Sequence, residues 1–345
     1  MPRKNVRFGA ILPWLTPVNH ILDAARASEE AGFDSVWTGD HLLHFPGSTV
    51  PEAWTILTAS SMVTKRVLLG TCVTDPHRYH PAVLAQRLAT IDQFCGGRTI
   101  LGLGAGDAIN LDPFGIDWSK PVSKLVEAVK IMRRLWAGET FSYDSKFGKF
   151  KDAFLQIKPT RSRVPIYFAA MLPRMLRLTG EIADGWLPLG LTPEMYKKRL
   201  KLIKEAARKV GRTPDDIDPG LYVITSVADK AEDAYKQVDR AKPILVPEIL
   251  KEAGYDIEFP KEFSSYSYID WMPTRKYTEY LARYTKFVPT EAALEFCIAG
   301  TAEDCIAKIE EFAKAGVKHF ILQNAGPDRR RFTEIICKKI IPRFK

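Results

Sequence analysis

Two polar residues stand just after predicted strands, where their side chains could handle protons. His41 follows the apolar segment 35–38, and Asp107 follows the segment 99–103 across a glycine-rich turn. A histidine and a carboxylate at one site are suited to moving protons to and from a substrate. Two simpler interpretations remain open: His41 could be an ordinary loop histidine, and Asp107 could cap the helix that follows it.

A metal site is the competing interpretation of the same region. It would combine His41, Asp75, His77 and His80. Prolines next to His77 and His80 predict that these two histidines lie on a loop, so the spacing favours proton transfer and we expect no metal. The five cysteines are scattered and form no C-x-x-C pair, which argues against both a zinc site and a disulfide framework.

The segment 67–114 contains the elements that would position these side chains. Val67–Cys72 and Thr99–Leu103 have the length and apolar character of buried strands, and Pro81–Phe94 between them has helical spacing. Two strands joined by a helix lie parallel, so the loops after both strands emerge at the same edge of one sheet. That edge is where α/β proteins place their chemistry.

The rest of the chain repeats this alternation. Eight strands are predicted, at Val6–Leu12, Ser35–Thr38, Val67–Cys72, Thr99–Leu103, Val164–Ala169, Gly185–Pro188, Gly220–Val227 and Val317–Gln323. Helices separate them, including one predicted at Ala231–Ala241 and a last one at Arg329–Ile341. The pattern predicts a (β/α)8 TIM barrel formed by one domain over residues 1–345, with insertions at about 140–158 and 243–292. A doubly wound open sheet is the alternative, but the first βα turn, LPWLTP, lacks the G-x-G-x-x-G of a dinucleotide-binding start.

Composition restricts the class of partner. Hydrophobic content of 46% and charged content of 26% are typical of a globular protein, and no apolar run reaches the length of a membrane span. The N-terminus also lacks a signal-peptide core, so a cytoplasmic protein is predicted. The net charge of 50 − 41 = +9 favours an anionic ligand, but the basic residues are dispersed, which argues against nucleic acid. We therefore expect a small-molecule substrate.

Aromatic residues mark the two predicted insertions. Phenylalanines and a tyrosine recur in a predicted β-hairpin at Thr140–Ile157, and tyrosine and tryptophan recur in 243–292. These segments could be lids over a planar ligand or an oligomer interface. We expect a homodimer or a homotetramer.

Several motifs together resemble a known family. The stretch GTCVTDPHRYHPAVLAQRLATIDQFCGGRTILGLGAGD is similar to the luciferase-like superfamily of flavin and deazaflavin oxidoreductases, in particular to the branch that uses the deazaflavin coenzyme F420. AGFDSVWTGDH, VPIYFAAM and FCIAGTAEDCIAKIEEFAKAGVKHFILQNAGPD support the resemblance. The last of these resembles the methylenetetrahydromethanopterin reductases. The resemblance implies a TIM-barrel oxidoreductase that transfers hydride between coenzyme F420, or alternatively FMN, and a small substrate.

The resemblance also implies roles for individual residues. His41 and Asp107 would be catalytic, positioning the substrate and managing protons or charge. Cys72 and Val73 match a non-prolyl cis peptide that forms a bulge behind the deazaflavin. The residues implied to contact the cofactor are Cys72, Val73, Thr74, Gly106, Asn110, Ala169, Ala170, Met171 and Gly190.

Three departures from the family pattern leave the substrate open. The pterin reductases carry a Glu near the end of strand one, where this chain has Leu12-Pro13-Trp14. The sugar-phosphate-oxidising members carry a Trp after the strand-two His, where His44 and Phe45 stand here. A Lys that helps hold a phosphate in some members is missing after strand six. Methylenetetrahydromethanopterin is the first substrate expected, and alcohols or sugar phosphates are the alternatives.

Overall fold

The computed structural model describes residues 6–44, 48–267 and 274–345, and its strands build a closed parallel barrel. The strands are β1 (Arg7–Ile11), β2 (Ser35–Thr38), β3 (Leu68–Thr71), β4 (Thr99–Leu103), β5 (Phe141–Ser145), β6 (Gly148–Ala153), β7 (Ile166–Phe168), β8 (Gly185–Trp186), β9 (Asp218–Val227), β10 (Ile298–Gly300) and β11 (His319–Asn324). Eight of them pair in the order β1-β2-β3-β4-β7-β8-β9-β11, and β11 pairs back onto β1. The predicted (β/α)8 barrel is confirmed, and the open sheet is excluded.

Helices lie between the barrel strands. They are α1 (Asn19–Glu30), α2 (Ala53–Val63), α3 (Pro81–Cys95), α4 (Ala108–Leu111), α5 (Pro121–Ala137), α6 (Pro173–Ile182), α7 (Pro193–Lys209), α8 (Ala231–Tyr235), α9 (Pro247–Glu252), α10 (Arg275–Tyr284), α11 (Thr290–Glu295), α12 (Ala302–Ala315) and α13 (Arg329–Ile335). Helices α3, α5, α6, α7 and α9 begin with proline, whose fixed φ suits a first helical turn. Left-handed glycines end α3, α5 and α12.

Large aromatic side chains fill the barrel interior, and glycines on neighbouring strands make room for them. A Cβ on Gly70, the register partner of Trp37, would lie 2.3 Å from the indole ring, and one on Gly9 would lie 2.8 Å from its Nε1. In the same way a Cβ on Gly185 would lie 2.5 Å from the ring of Tyr167. Trp37 is fully buried, so its truncation to alanine should cost about 3–5 kcal/mol.

A charged network closes the amino-terminal end of the barrel. Asp218, at the start of β9, accepts hydrogen bonds from Arg7 and from the hydroxyl of Tyr167. His319, at the start of β11, lies with its Nδ1 3.8 Å from the same carboxylate and its Nε2 2.7 Å from the hydroxyl of Ser35. This end therefore carries stabilising contacts, as expected for the face opposite the site of a TIM barrel.

Several elements differ from the sequence prediction. The last helix, predicted at Arg329–Ile341, ends at Ile335 as an α-helix, and a π-helical segment, Ile336–Ile340, follows. Helix α8 ends at Tyr235, short of the predicted Ala241, and a 3-10 segment, Val238–Ile244, follows, in which Pro243 cannot donate a hydrogen bond. Strand β8 is shorter than the predicted Gly185–Pro188, since Pro188 has no N–H for the ladder. Strand β10, which pairs with the end of β9, has only three residues and was not predicted.

The two predicted insertions have different structures. Strands β5 and β6 form an antiparallel hairpin that lies against α5, where Lys130 lies over the ring of Tyr143. Within 243–292 the described part contains α9, α10 and α11, packed around Tyr284, whose ring stacks on Phe259 at 5.3 Å between centroids. Residues 268–273 of this insertion lie outside the described part. Of the helices described, none has the length and apolar character needed to cross a membrane.

Candidate active site

The two predicted catalytic residues are joined through a third side chain at the carboxyl end of the strands. Asn110 Nδ2 lies 2.8 Å from Nδ1 of His41 and 2.6 Å from Oδ1 of Asp107. His41 follows β2, Asp107 follows β4, and Asn110 sits in the single turn of α4. The three residues, which lie up to 69 positions apart in the sequence, thus form one hydrogen-bonded group.

The other end of the Asn110 side chain ties the loop after β2 to the same group. Its Oδ1 accepts hydrogen bonds from the backbone N–H of Leu42 at 2.6 Å and of Leu43 at 3.3 Å. Asp107 stands at the N-cap position of α4, but its carboxylate makes no capping hydrogen bond and is used by Asn110 instead. Asp107 is therefore the N-cap residue of α4, as the capping interpretation expects, but its side chain does not cap the helix.

A buried ion cluster holds the loop after β3 behind this group. Arg78 donates through Nε to Asp75 at 2.6 Å and through NH1 to Asp40 at 3.1 Å, and all three side chains are almost fully buried. Thr74 donates its hydroxyl to Asp40 at 2.5 Å. The guanidinium is thus fully engaged with two carboxylates, which leaves it unavailable to a ligand.

Aromatic rings form the other side of the site. The ring of Trp14, after β1, meets His44 edge to face at 4.5 Å between centroids and His41 at 5.7 Å. The two histidine rings lie 5.2 Å apart. Gly39 allows this packing, because a Cβ there would lie 2.8 Å from the Trp14 ring. The indole Nε1 of Trp14 is buried and has no hydrogen-bond partner in the described part of the chain.

Burial disfavours the charged forms of the titratable side chains at the site. It lowers the pKa of His41 to about 4, and the positive charge of Arg78 acts in the same direction. It lowers the pKa of His44 to about 3. Burial raises the pKa of Asp107 above its ordinary value, although the hydrogen bond from Asn110 opposes the change. At neutral pH both histidines are uncharged, and Asp107 holds a proton more readily than a solvent-exposed carboxylate does.

Half-buried apolar side chains form the floor of the site. Ile11, Cys72, Val73 and Tyr222 pack onto the interior cluster that contains Trp37, and they remain incompletely covered at the barrel mouth. The peptide bond between Cys72 and Val73 is cis, as the family resemblance implied. Burial raises the pKa of the Cys72 thiol to about 12, so this cysteine acts as an apolar group.

Glycines line the approach to this floor. A Cβ on Gly104 would lie 2.9 Å from Val73, and one on Gly106 would lie 2.9 Å from both His77 and Leu111. Gly106 also has a φ of +86°, which side-chain-bearing residues rarely adopt. The glycines of the G-L-G-A-G-D run are therefore required by close packing as well as by the turn conformation.

The remaining predicted cofactor contacts lie along other strand ends. Thr74 is bonded to the ion cluster. Ala169 follows β7 next to β4, with its N–H on the carbonyl of Leu103. The carbonyl oxygens of Ala170 and Met171 accept from Trp186 and Arg199, and Gly190 follows β8 with a φ of +69°. The contacts described for these residues do not link them to His41, so their role stays a prediction.

The residues of the alternative metal site, apart from His41, form hydrogen bonds or ion pairs with other groups. His77 places Nε2 2.9 Å from the carbonyl oxygen of Ala105, and Asp75 is held by Arg78. His80 is exposed at the N-cap of α3, where its ring accepts a hydrogen bond from Ala82. Among the residues described, no group of three or more His, Cys, Asp or Glu side chains is placed to hold a metal ion.

Sequence reasoning did not predict the contacts of Trp14, His44 and Arg78. Trp14 and His44 were noted only as departures from a family pattern, because the pairing of rings from two loops leaves no local signal. Arg78 did have a local signal: Asp75 Oδ1 accepts the backbone N–H groups of His77 and Arg78, a turn that the spacing D-P-H-R favours.

A closed (β/α)8 barrel with a neutral histidine, a carboxylate and an apolar floor at its carboxyl end defines a TIM-barrel enzyme with a site suited to a flat ligand. The chain belongs to the luciferase-like monooxygenase family, whose model matches residues 6–319. It is an oxidoreductase of that superfamily.

Proteins with different substrates resemble the chain over nearly its whole length. It is 31% identical to 5,10-methylenetetrahydromethanopterin reductase of Archaeoglobus fulgidus, covering 93% of this chain and 94% of that protein. It is 32% identical to F420-dependent glucose-6-phosphate dehydrogenase of Microbacterium testaceum, covering 95% and 94%. The solved structure of an F420-dependent secondary alcohol dehydrogenase in complex with an F420-acetone adduct matches with a TM-score of 0.82 and 30% identity, covering 99% of both chains.

Proposed function

We propose that this enzyme uses coenzyme F420 as its hydride carrier and acts on a small substrate. The observation that carries the proposal is the His41–Asn110–Asp107 group standing beside an apolar floor, in a chain similar to F420-dependent enzymes over its whole length. When bound, the coenzyme supplies or accepts a hydride. FMN is the alternative coenzyme, and it would direct the family fold towards oxygen chemistry.

The residues at the barrel mouth fit a flat, mostly apolar ring system. Ile11, Cys72, Val73 and Tyr222 offer a partly uncovered apolar surface on top of the barrel core. Trp14 Nε1 and Asn324 Nδ2 are buried donors without partners in the described part of the chain, and such donors are costly unless a ligand or water satisfies them. Cys72, Val73, Thr74, Gly106, Ala169, Ala170, Met171 and Gly190 are the residues proposed to hold the coenzyme.

The chain's own groups supply binding, proton handling and exclusion of water. His41, neutral at physiological pH, would contact the polar atom next to the reacting carbon. Asp107, whose pKa is raised by burial, would hold the proton that accompanies hydride transfer. The rings of Trp14 and His44 cover the site and keep water from the reacting atoms.

Charge at the site bears on the choice of substrate. The charged groups that act on His41 are Arg78 and Asp75, and these two are paired with each other. A sugar phosphate would bring two negative charges to a site whose nearest cation is already neutralised. Methylenetetrahydromethanopterin, whose reacting ring system carries no phosphate and to whose reductase the chain is 31% identical, is the first substrate proposed. A secondary alcohol or its ketone is the second.

Titration of the coenzyme-free enzyme tests this proposal. Addition of F420 should change the coenzyme's absorbance and quench protein fluorescence, with tighter binding than FMN. A panel of methylenetetrahydromethanopterin, secondary alcohols with their ketones, and glucose 6-phosphate then identifies the substrate. Tight FMN binding with oxygen consumption, and no turnover of reduced F420, would contradict the proposal.

We also propose that the enzyme is a homodimer in which α2 and α3 meet their copies. These helices expose Met62, Val83 and Phe94, with 65%, 48% and 55% of each side chain accessible, beside a groove of about 330 Å³. The helix α2 has no charged residue, and Arg87 of α3 is folded over the rings of Trp54 and Tyr79. In a protein of net charge +9, a nearly uncharged face is where two copies can approach without repulsion.

A further inference from the structure

The amide of Asn110 has a defined orientation. One of its two terminal atoms meets the backbone N–H groups of Leu42 and Leu43, and a group that faces two N–H donors must be the oxygen. The other terminal atom meets the carboxylate of Asp107 at 2.6 Å, and the nitrogen suits that partner. Both ends of the amide therefore give the same assignment, with oxygen towards the loop after β2 and nitrogen towards the site.

This orientation determines which nitrogen of His41 carries the proton. The NH2 group of Asn110 can only donate, so Nδ1 of His41, 2.8 Å away, must accept and is unprotonated. Burial keeps the ring neutral at physiological pH. A neutral imidazole carries one proton, so that proton is on Nε2.

We propose that Asn110 is a positioning residue that holds His41 as its Nε2–H tautomer, so that His41 offers the substrate a hydrogen-bond donor and not a base. The role of the residue in the reaction rests on the proposed function, but the tautomer does not. Because both N–H bonds of Asn110 are used within the protein, Asn110 acts on the reaction through His41 and Asp107 and not through direct contact with the coenzyme ring.

The tautomer limits the chemistry of the site. An Nε2–H group can polarise a carbonyl oxygen or an imine-type nitrogen, which assists reduction of the neighbouring carbon. It cannot take the proton from an alcohol unless the tautomer changes and the bond to Asn110 is lost. The resting site is therefore set for a substrate that presents an acceptor atom, and alcohol oxidation requires Asp107 to take the proton.

Nitrogen NMR of the coenzyme-free enzyme tests the proposal directly. The chain has six histidines, and the His41 signals are assigned by their loss in His41→Gln. Two-bond ¹H–¹⁵N spectra distinguish a protonated ring nitrogen from an unprotonated one. We expect Nε2 of His41 protonated and Nδ1 unprotonated at pH 7, and a ring that stays neutral down to about pH 4. A protonated Nδ1 in the unmodified enzyme overturns the proposal.

Asn110→Asp reverses the expected result. The new carboxyl group lies next to Asp107, and the two share one proton and keep one negative charge. A carboxylate can only accept, so Nδ1 of His41 should become protonated, and the nearby negative charge should raise the His41 pKa by roughly 1–3 units. Asn324→Asp is the matched control, since it makes the same change at the same barrel end without contact to His41, and it should leave the tautomer unchanged. An unchanged tautomer in Asn110→Asp overturns the positioning role.

The two proposals can fail separately. Absence of F420 binding together with the expected tautomer removes the proposed coenzyme and leaves the role of Asn110 intact. F420 turnover together with a protonated Nδ1 of His41 supports the proposed coenzyme and overturns the role of Asn110. Since the measurement on the unmodified enzyme decides the tautomer, the inference remains testable even where Asn110→Asp does not fold.

Discussion

The indole ring of Trp14 and the imidazole ring of His44 meet edge to face with their centroids 4.5 Å apart, although they come from the loops of two different strands. This contact covers the side of the site opposite Asn110. Burial is the main cause of the lowered pKa values of His41 and His44, and this contact contributes to the burial.

Replacement of Trp14 by alanine should therefore raise the pKa of both histidines. Without the indole, water reaches His44, and its pKa should rise from about 3 towards the ordinary value of 6.5, with a smaller rise for His41. NMR titration of the ring signals measures both values. Trp118→Ala is the control, because this indole donates to the carbonyl of Ala105 and has no ring contact with either histidine among the described residues. Unchanged pKa values in Trp14→Ala would show that residues other than Trp14 bury the two histidines.

Asp107→Asn should slow hydride transfer without preventing coenzyme binding. Loss of a proton donor or acceptor typically lowers kcat by about 10²–10⁴-fold. In the reductive direction, kcat of the unmodified enzyme should fall as pH rises through the raised pKa of Asp107, because the protonated form is then lost. The variant should lack this limb of the pH profile. The exposed neighbour Asp112, changed to asparagine, is the control and should keep the full profile.

Asp218→Asn should destabilise the barrel. Burial alone would raise the pKa of Asp218, but the charge of Arg7 and the hydrogen bond that Tyr167 donates outweigh it and hold the pKa well below its usual range. Such a carboxylate stabilises the fold above its unfolded pKa of about 4, and this stability is lost as pH falls further.

Thermal unfolding between pH 3 and pH 8 measures this effect. Removal of one partner from a buried ion pair typically costs about 3–5 kcal/mol, so Tm at pH 7 should fall and its decline in acid should become shallower. Asp233→Asn, in an exposed pair with Lys236, should leave Tm nearly unchanged. Equal Tm values for both variants would mean that the network at the amino-terminal end is not stabilising.

Phe94→Lys should convert a dimer into monomers. The substitution places a charge on the exposed face of α3, and in a symmetric interface each added lysine lies near its copy. Sedimentation or light scattering gives the mass. Leu202→Lys, at a comparably exposed position on the charged helix α7, is the matched control and should leave the mass unchanged. A dimer that survives Phe94→Lys would place the interface elsewhere.

The sequence predicted those parts of the fold that depend on local patterns. All eight barrel strands and helix α3 follow from apolar runs and from proline and glycine positions. Strand β10 was missed because three residues carry no periodic signal. Helix α8 was overextended because its predicted range runs into the 3-10 segment Val238–Ile244, which apolar spacing does not distinguish from an α-helix.

The sequence predicts where the site residues lie, but it does not predict which of them form hydrogen bonds with each other. His41 and Asp107 follow from the rule that polar residues at the carboxyl ends of parallel strands converge. The link through Asn110 does not follow, because it joins side chains 69 and 3 positions apart by hydrogen bonds that no spacing encodes. Trp14 and His44 were visible as substitutions, but their contact depends on how two loops pack.

The buried cluster of Asp40, Arg78 and Asp75 has a consequence for redesign of the enzyme. It anchors the loops after β2 and β3, while Trp14 and His44 form another wall of the site through a contact between their rings. Libraries that randomise positions 14 and 44 can therefore vary the shape of the pocket on an intact framework. Libraries that include position 78 would lose that framework in most members.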